Sequence, residues 1–154
     1  MLDQDKKMHA AIKNWLHREK FDGAFAVTLT LKQNVGVEKL TELSAKKTLR
    51  VFLNRFNRIF YGNAVKRYKK RIETIPILGR SYSGRLHYHL IMVCPTEVKE
   101  QDFRKEIQIC WDRTIFGHRE IEIKKITSNG WLEYMANHIF SAGEFDYENM
   151  HLNR

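Results

Sequence analysis

Apolar and polar positions along this chain repeat with two alternating periods, and the switches between them predict its elements. Met8, Ile12, Trp15 and Leu16 recur at helical spacing, so residues 6–19 read as an amphipathic helix that Phe21–Gly23 breaks. Ala24–Leu31 then changes to a period of two. Phe25, Val27, Leu29 and Leu31 share one side of a strand, and Ala24, Ala26, Thr28 and Thr30 share the other. Helical spacing returns from Glu38 to Phe60, with Leu49, Phe52, Leu53, Phe56, Ile59 and Phe60 as the apolar stripe and Arg50, Arg55 and Arg58 off it.

Ile72–Gly79 and Arg85–Val93 read as the two strands of a hairpin closed by Arg80–Gly84. Thr96, following Pro95, is expected to cap a helix that buries Phe103, Ile107, Cys110 and Trp111. Arg119–Ile126 alternates as a strand. Ser128 or Asn129 is expected to cap a last helix running to Phe140, which Gly143 ends, leaving a polar tail. Helix, strand, helix, hairpin, helix, strand, helix is the order of an α+β fold, a central antiparallel sheet with helices packed on it. No repeat, low-complexity tract or Pro/Gly-rich linker divides the chain, so residues 1–154 read as a single domain.

Charge adds a partner to this picture. The formal net charge is +9, which suggests a polyanion, and nucleic acid is the first candidate. Part of the excess lies in Lys66, Arg67, Lys69, Lys70 and Arg71, with Tyr68 among them. Cations with an interleaved aromatic suit a single strand, where phosphates meet charge and bases stack; a solvated helix end has the same composition. No run approaches the roughly 18 apolar residues of a membrane span, and no secretory signal is legible. A cytoplasmic protein without a membrane partner is expected. Cys94 and Cys110 lie far apart among apolar neighbours, the setting of buried thiols in a reducing compartment.

Two local patterns carry candidate chemistry. In Arg85-Leu-His-Tyr-His-Leu-Ile-Met-Val93, residues two apart on a strand share a face, so His87 and His89 point together. Two neighbouring imidazoles can reach one divalent cation; two partly buried histidines held by hydrogen bonds are the structural alternative. On the last predicted helix, Tyr134 and His138 are four residues apart and share a face. A tyrosine hydroxyl beside a metal-polarised phosphate can act as a nucleophile, whereas the same hydroxyl in water merely caps an apolar stripe. Thr28 and Thr30 form a small polar row that leaves room for a substrate, a weak signal because threonine is common in strands.

Together and in this order, the three patterns resemble the HUH endonuclease superfamily of rolling-circle replication initiators, relaxases and single-tyrosine transposases. The first motif is a strand like Phe25–Thr30, the second is His87-Tyr88-His89, and the third is a helix bearing Tyr134. The resemblance runs from residue 24 to 140. It implies a nickase and ligase of single-stranded DNA or a DNA hairpin, with His87 and His89 on a divalent metal (Mn or Mg, with Zn, Co or Ni as further candidates). Tyr134 would attack the phosphate, form a 5′-phosphotyrosine link and release a 3′-hydroxyl that can reverse the step. Relaxases of this type tend to carry three clustered histidines, whereas transposases of similar length stay open as an alternative, as does a non-catalytic nucleic-acid-binding domain. Strand separation would call for a separate or fused helicase.

The chain departs from the pattern in three places. Many initiators have a metal-binding glutamate in the strand before the histidines, where this chain has Ile77-Leu-Gly-Arg80. The lysine often found three residues after the tyrosine is Asn137, and a second tyrosine would fall at His138. His138, one helical turn beyond Tyr134, is therefore expected to be the third metal ligand, with Glu73 as the runner-up. Arg80, Arg85, Thr28, Thr30 and the cluster Lys66, Arg67, Lys69, Lys70 and Arg71 are the expected DNA contacts.

Overall fold

The computed structural model describes residues 3–15, 23–127, 130, 134 and 143–153. Its elements are α1 (Asp3–Trp15), β1 (Ala24–Leu31), the two-residue strands β2 (Asn34–Val35) and β3 (Glu38–Lys39), α2 (Glu42–Tyr61), the single turn α3 (Ala64–Arg67), β4 (Thr74–Arg80), β5 (Leu86–Val93), α4 (Glu100–Asp112), β6 (Gly117–Lys125) and β7 (Gly143–Phe145), with a 3-10 turn at Tyr147–Asn149. Five strands form an antiparallel sheet in the order β6-β1-β5-β4-β7. The architecture is α+β, as the periodicity predicts.

Residues opposite one another in an antiparallel ladder lie on the same face, so the register sorts every side chain. Phe25, Val27 and Leu29 of β1 pair with Met92, Leu90 and Tyr88 of β5. This face is closed by α2 and α4. Their buried residues, among them Leu49, Phe52, Phe56, Phe103, Ile107 and Trp111, make one core with it. Phe52 meets Trp111 edge-on at 5.5 Å between ring centres, and Phe56 meets Phe103 at 5.2 Å. On the other face, Ile12 of α1 packs with Ala24, Ile75, Ile77, Ile91, Ile126 and Phe145 in a smaller apolar cluster. That cluster covers the Ala24–Ile126 end of the sheet and reaches as far as Ile77, the ladder partner of His89.

Several expectations are corrected. The helix expected from Glu38 starts at Glu42, because Thr41 and Ser44 form a reciprocal capping box, and residues 34–39 are spent on the β2–β3 hairpin. Ile59 is 46% exposed. Its place in the stripe is taken by buried Asn57, whose Oδ1 accepts the Ile72 amide at 2.6 Å and whose Nδ2 donates to the Leu53 carbonyl at 2.7 Å. Thr96 does not cap α4. The chain turns through Pro95–Val98, Lys99 occupies the cap, and Glu100 and Asp102 supply the negative charge that a helix start favours. The tail expected beyond Gly143 instead pairs with β4, bringing Phe145 opposite Ile77 and Gly143 opposite Gly79. The last predicted helix lies outside the described residues except for Gly130 and Tyr134, both helical. Cys94 and Cys110 are buried and unbridged, and burial first of all raises both thiols to about 11, so they stay protonated at neutral pH.

Candidate active site

The pairing of β1 with β5 sets Thr28 opposite His89 and Thr30 opposite His87, so the two polar rows share the face turned away from α2 and α4. All four side chains are half-buried. The two imidazoles meet edge to face, 4.8 Å between ring centres. Thr28 Oγ1 lies 3.2 Å from His89 Nδ1. That hydrogen bond occupies Nδ1, which leaves Nε2 as the ring nitrogen for a further partner. Burial, and then the neighbouring His87, pushes His89 down to about 4 against an opposing pull from Glu122, so it is neutral at physiological pH. His87 sits over Gly79, where an added Cβ would come 3.0 Å from its Nε2. Gly79 thus provides the slot for this ring.

Two imidazoles side by side fit a borderline divalent cation. Among the described residues no three His, Cys, Asp or Glu side chains gather as a metal site, so the candidate there is the His87–His89 pair alone. His138 lies outside the described residues. Glu73 is corrected: it is buried before β4, its Oε1 accepts the Asn153 amide at 3.0 Å, and Gly79, not Glu73, pairs with His87. Six residues of extended chain separate the two positions, about 20 Å.

Tyr134 is exposed and within electrostatic reach of Lys124. Lys124 pairs with Ala26 and shares the histidine face, next to Glu122, which pairs with Thr28. The Lys124 ammonium is held up first by its hydrogen bond to Glu122 and the charge of that carboxylate, 2.6 Å away, and also by the Tyr134 oxygen. A cation therefore stands near the tyrosine even though position 137 is asparagine. Sequence reasoning missed Lys124 and Glu122 because their relation to Thr28 depends on strand order.

The expected DNA contacts separate. Arg85 lines a cleft of about 460 Å³ together with Thr28, Thr30 and His87, and His118 and Glu120 of β6 close its far side. Arg80 leaves this face: it pairs with Leu86, on the helix-covered side, and binds Glu42 of α2 at 3.0 Å. The expectation that it flanks the histidines fails because alternation along β4 turns it the other way. The segment 66–71 lies beyond the C-terminus of α2, at the end of β4 opposite to Gly79 and His87. Within it, Arg71 donates to Asn54 at 2.7 Å, and Lys70 lies 4.8 Å above the Tyr61 ring.

No curated protein and no solved structure matches the chain. The model of one family, that of the replication-associated protein ORF2, matches residues 24–142, from the first residue of β1 to the residue before β7. That span includes both threonines, both histidines, the cleft and Tyr134, and it is well over half of the 154 residues. The chain belongs to this replication-associated protein family.

Proposed function

We propose that this protein nicks and rejoins single-stranded DNA, or the loop of a DNA hairpin, to initiate rolling-circle replication of a plasmid or phage in the cytoplasm. The observation that carries the reading is the shared face of the sheet. Thr28, Thr30, His87 and His89 lie on it in register, and Lys124, within reach of Tyr134, lies on it one pair further along β1. The family match gives this face a replication context.

In this reading His87 and His89 hold a divalent metal, Mn or Mg first, and His138 is the third ligand. The bound cation would supply charge neutralisation at the scissile phosphate. Thr28 orients His89 through its ring nitrogen. Arg85 binds a phosphate of the entering strand. The Tyr134 oxygen attacks the scissile phosphorus, its proton passes to solvent, and Lys124 steadies the phenolate charge. A bond forms between Tyr134 and the 5′ phosphate as the bond to the 3′ oxygen breaks, and the departing oxygen takes up a proton. The phosphoester is exchanged and never lost, so the reverse reaction reseals the strand without a nucleotide cofactor.

Incubating the protein with labelled single-stranded oligonucleotides and Mn²⁺ tests this directly. A covalent protein–DNA adduct is expected that requires the metal and disappears in Tyr134→Phe, with binding kept because a single hydroxyl is lost. An adduct that persists in the phenylalanine variant refutes the assignment and moves the nucleophile to another tyrosine, such as exposed Tyr82 or Tyr147.

A further inference from the structure

We propose that the cleft beside His87 is a base-reading subsite, in which Glu120 and His118 select guanine at the nucleotide next to the scissile phosphate. The proposal rests on the nicking function above for what enters the cleft, and on separate features for how it is read.

The first feature is a break in the ladder between β1 and β6. Leu29 pairs with Ile121 and Leu31 with Gly117, so the single residue Thr30 faces His118, Arg119 and Glu120. A bulge of this kind re-aims side chains, and such bulges concentrate next to binding sites. Its cost in lost ladder bonds is met by dedicated partners. The Thr30 hydroxyl donates to the Glu120 carbonyl, the Trp111 indole donates to the Thr30 carbonyl at 2.9 Å, and the Lys32 amide donates to the Phe116 carbonyl at 2.7 Å. A core tryptophan thus supports the irregularity that brings His118 and Glu120 to the same cleft as His87.

The second feature is which polar groups in the cleft are already used. Gln33 donates to the Leu31 and Leu86 carbonyls and accepts the Leu86 amide, so its amide ties β1 to β5 with both N–H donors and one carbonyl lone pair engaged. Ser81 is held by Ser83 and the Arg85 amide. By contrast, the Arg85 guanidinium and the Glu120 carboxylate have no hydrogen-bond or ion-pair partner among the described residues. His118 accepts the Glu120 amide on Nδ1 at 3.1 Å, which leaves the ring proton on Nε2. The cleft therefore offers one N–H donor, one carboxylate that only accepts, and one guanidinium.

Base chemistry ranks the candidates. Guanine presents O6 as an acceptor beside N1–H and N2–H as two donors, so one base takes the His118 proton and fills both carboxylate oxygens. Adenine and cytosine each offer an amino donor and a ring-nitrogen acceptor, giving two bonds. Thymine offers a single N–H between two carbonyl oxygens that a carboxylate repels. Bases of a single strand expose these edges, and a volume of about 460 Å³ is within the range of small-ligand sites. Arg85 takes the adjoining phosphate.

The test selects bound sequences from a random single-stranded DNA pool with full-length protein carrying Tyr134→Phe, so that binding is read without chemistry. One position with guanine favoured by roughly ten- to a hundredfold over the other bases is expected. Glu120→Gln in that background should flatten the preference at that position, and His118→Ala should weaken it. Affinity for oligonucleotides lacking the guanine should change less than about twofold in either variant. The cleft has no such role if the parent protein shows no base preference, if the variants keep the guanine profile, or if they weaken all sequences equally. Failure of the unsubstituted protein to form an adduct with Mn²⁺ would refute nicking instead, and the base profile would still decide the subsite.

Discussion

Strand β5 belongs to two different environments at once. Leu86, Tyr88, Leu90 and Met92 lie under α2 and α4 in a core with almost no exposed surface. One residue along, His87 and His89 remain half-buried beside a cleft, while Ile91 of the same row is sealed by the cluster around Ile12. Side chains on the first face are chosen by volume. Those on the second change along its length from apolar to polar, and the change marks where a ligand can reach the sheet. A period of two lets one strand carry both without compromise, because consecutive residues never compete for the same space.

This contrast can be broken from either side. His89→Ala should lower adduct formation by more than about a hundredfold while changing unfolding free energy by about 1 kcal/mol or less, since the ring is only half-buried and its removal frees a single threonine hydroxyl. Phe103→Ala, on the closed face, should cost about 3–5 kcal/mol in chemical denaturation. Equal stability losses in both variants would mean that the histidines are core residues after all.

A finer test is Gly79→Ala. The new Cβ would crowd His87 Nε2, so Mn²⁺ affinity by calorimetric titration should fall about tenfold, with stability little changed. Unaltered affinity would show that the ring has room to move.

On the closed side, the Tyr88 hydroxyl donates to Asp146 Oδ2 at 2.8 Å, and Asn149 donates to the same oxygen at 2.7 Å. Burial, followed by the Asp146 carboxylate, drives the phenol far above its ordinary pKa, so it stays a donor at every working pH. Tyr88→Phe should cost about 1–3 kcal/mol, read from the urea midpoint, because Asp146 Oδ1 already has no partner among the described residues and the carboxylate would lose another. It should leave the adduct intact, which separates the two faces once more.

The smallest expected effect concerns the positive segment beyond α2. Replacing Lys66, Arg67 and Lys69 by alanine should make the log–log salt dependence of DNA affinity shallower by about 2, at about 0.7 for each phosphate contact. Base preference should not change, given the distance of this segment from the cleft. A changed preference would show that the strand runs continuously between the two places.

Sequence alone determined whatever depends on local period. The alternation in Phe25–Leu31 and in Leu86–Val93 predicts which residues share a face, and the ladder pairs Thr28 with His89 and Thr30 with His87. The buried stripe Phe103, Ile107, Cys110 and Trp111 is read with equal directness, because helical spacing and burial follow from the same few consecutive residues. What required the tertiary structure is everything set by distant partners. Arg80 faces α2 and not the histidines, Glu73 sits at the wrong end of its strand, and Gly143–Phe145 becomes an edge strand by pairing with β4. Lys124, Glu122, His118 and Glu120 belong to the candidate site because β6 lies next to β1, and the last two also because a bulge held by Trp111 turns them inward. Periodicity is a property of neighbours along the chain, whereas strand order and bulges are decided by which apolar faces can be buried together, and no local pattern encodes that choice.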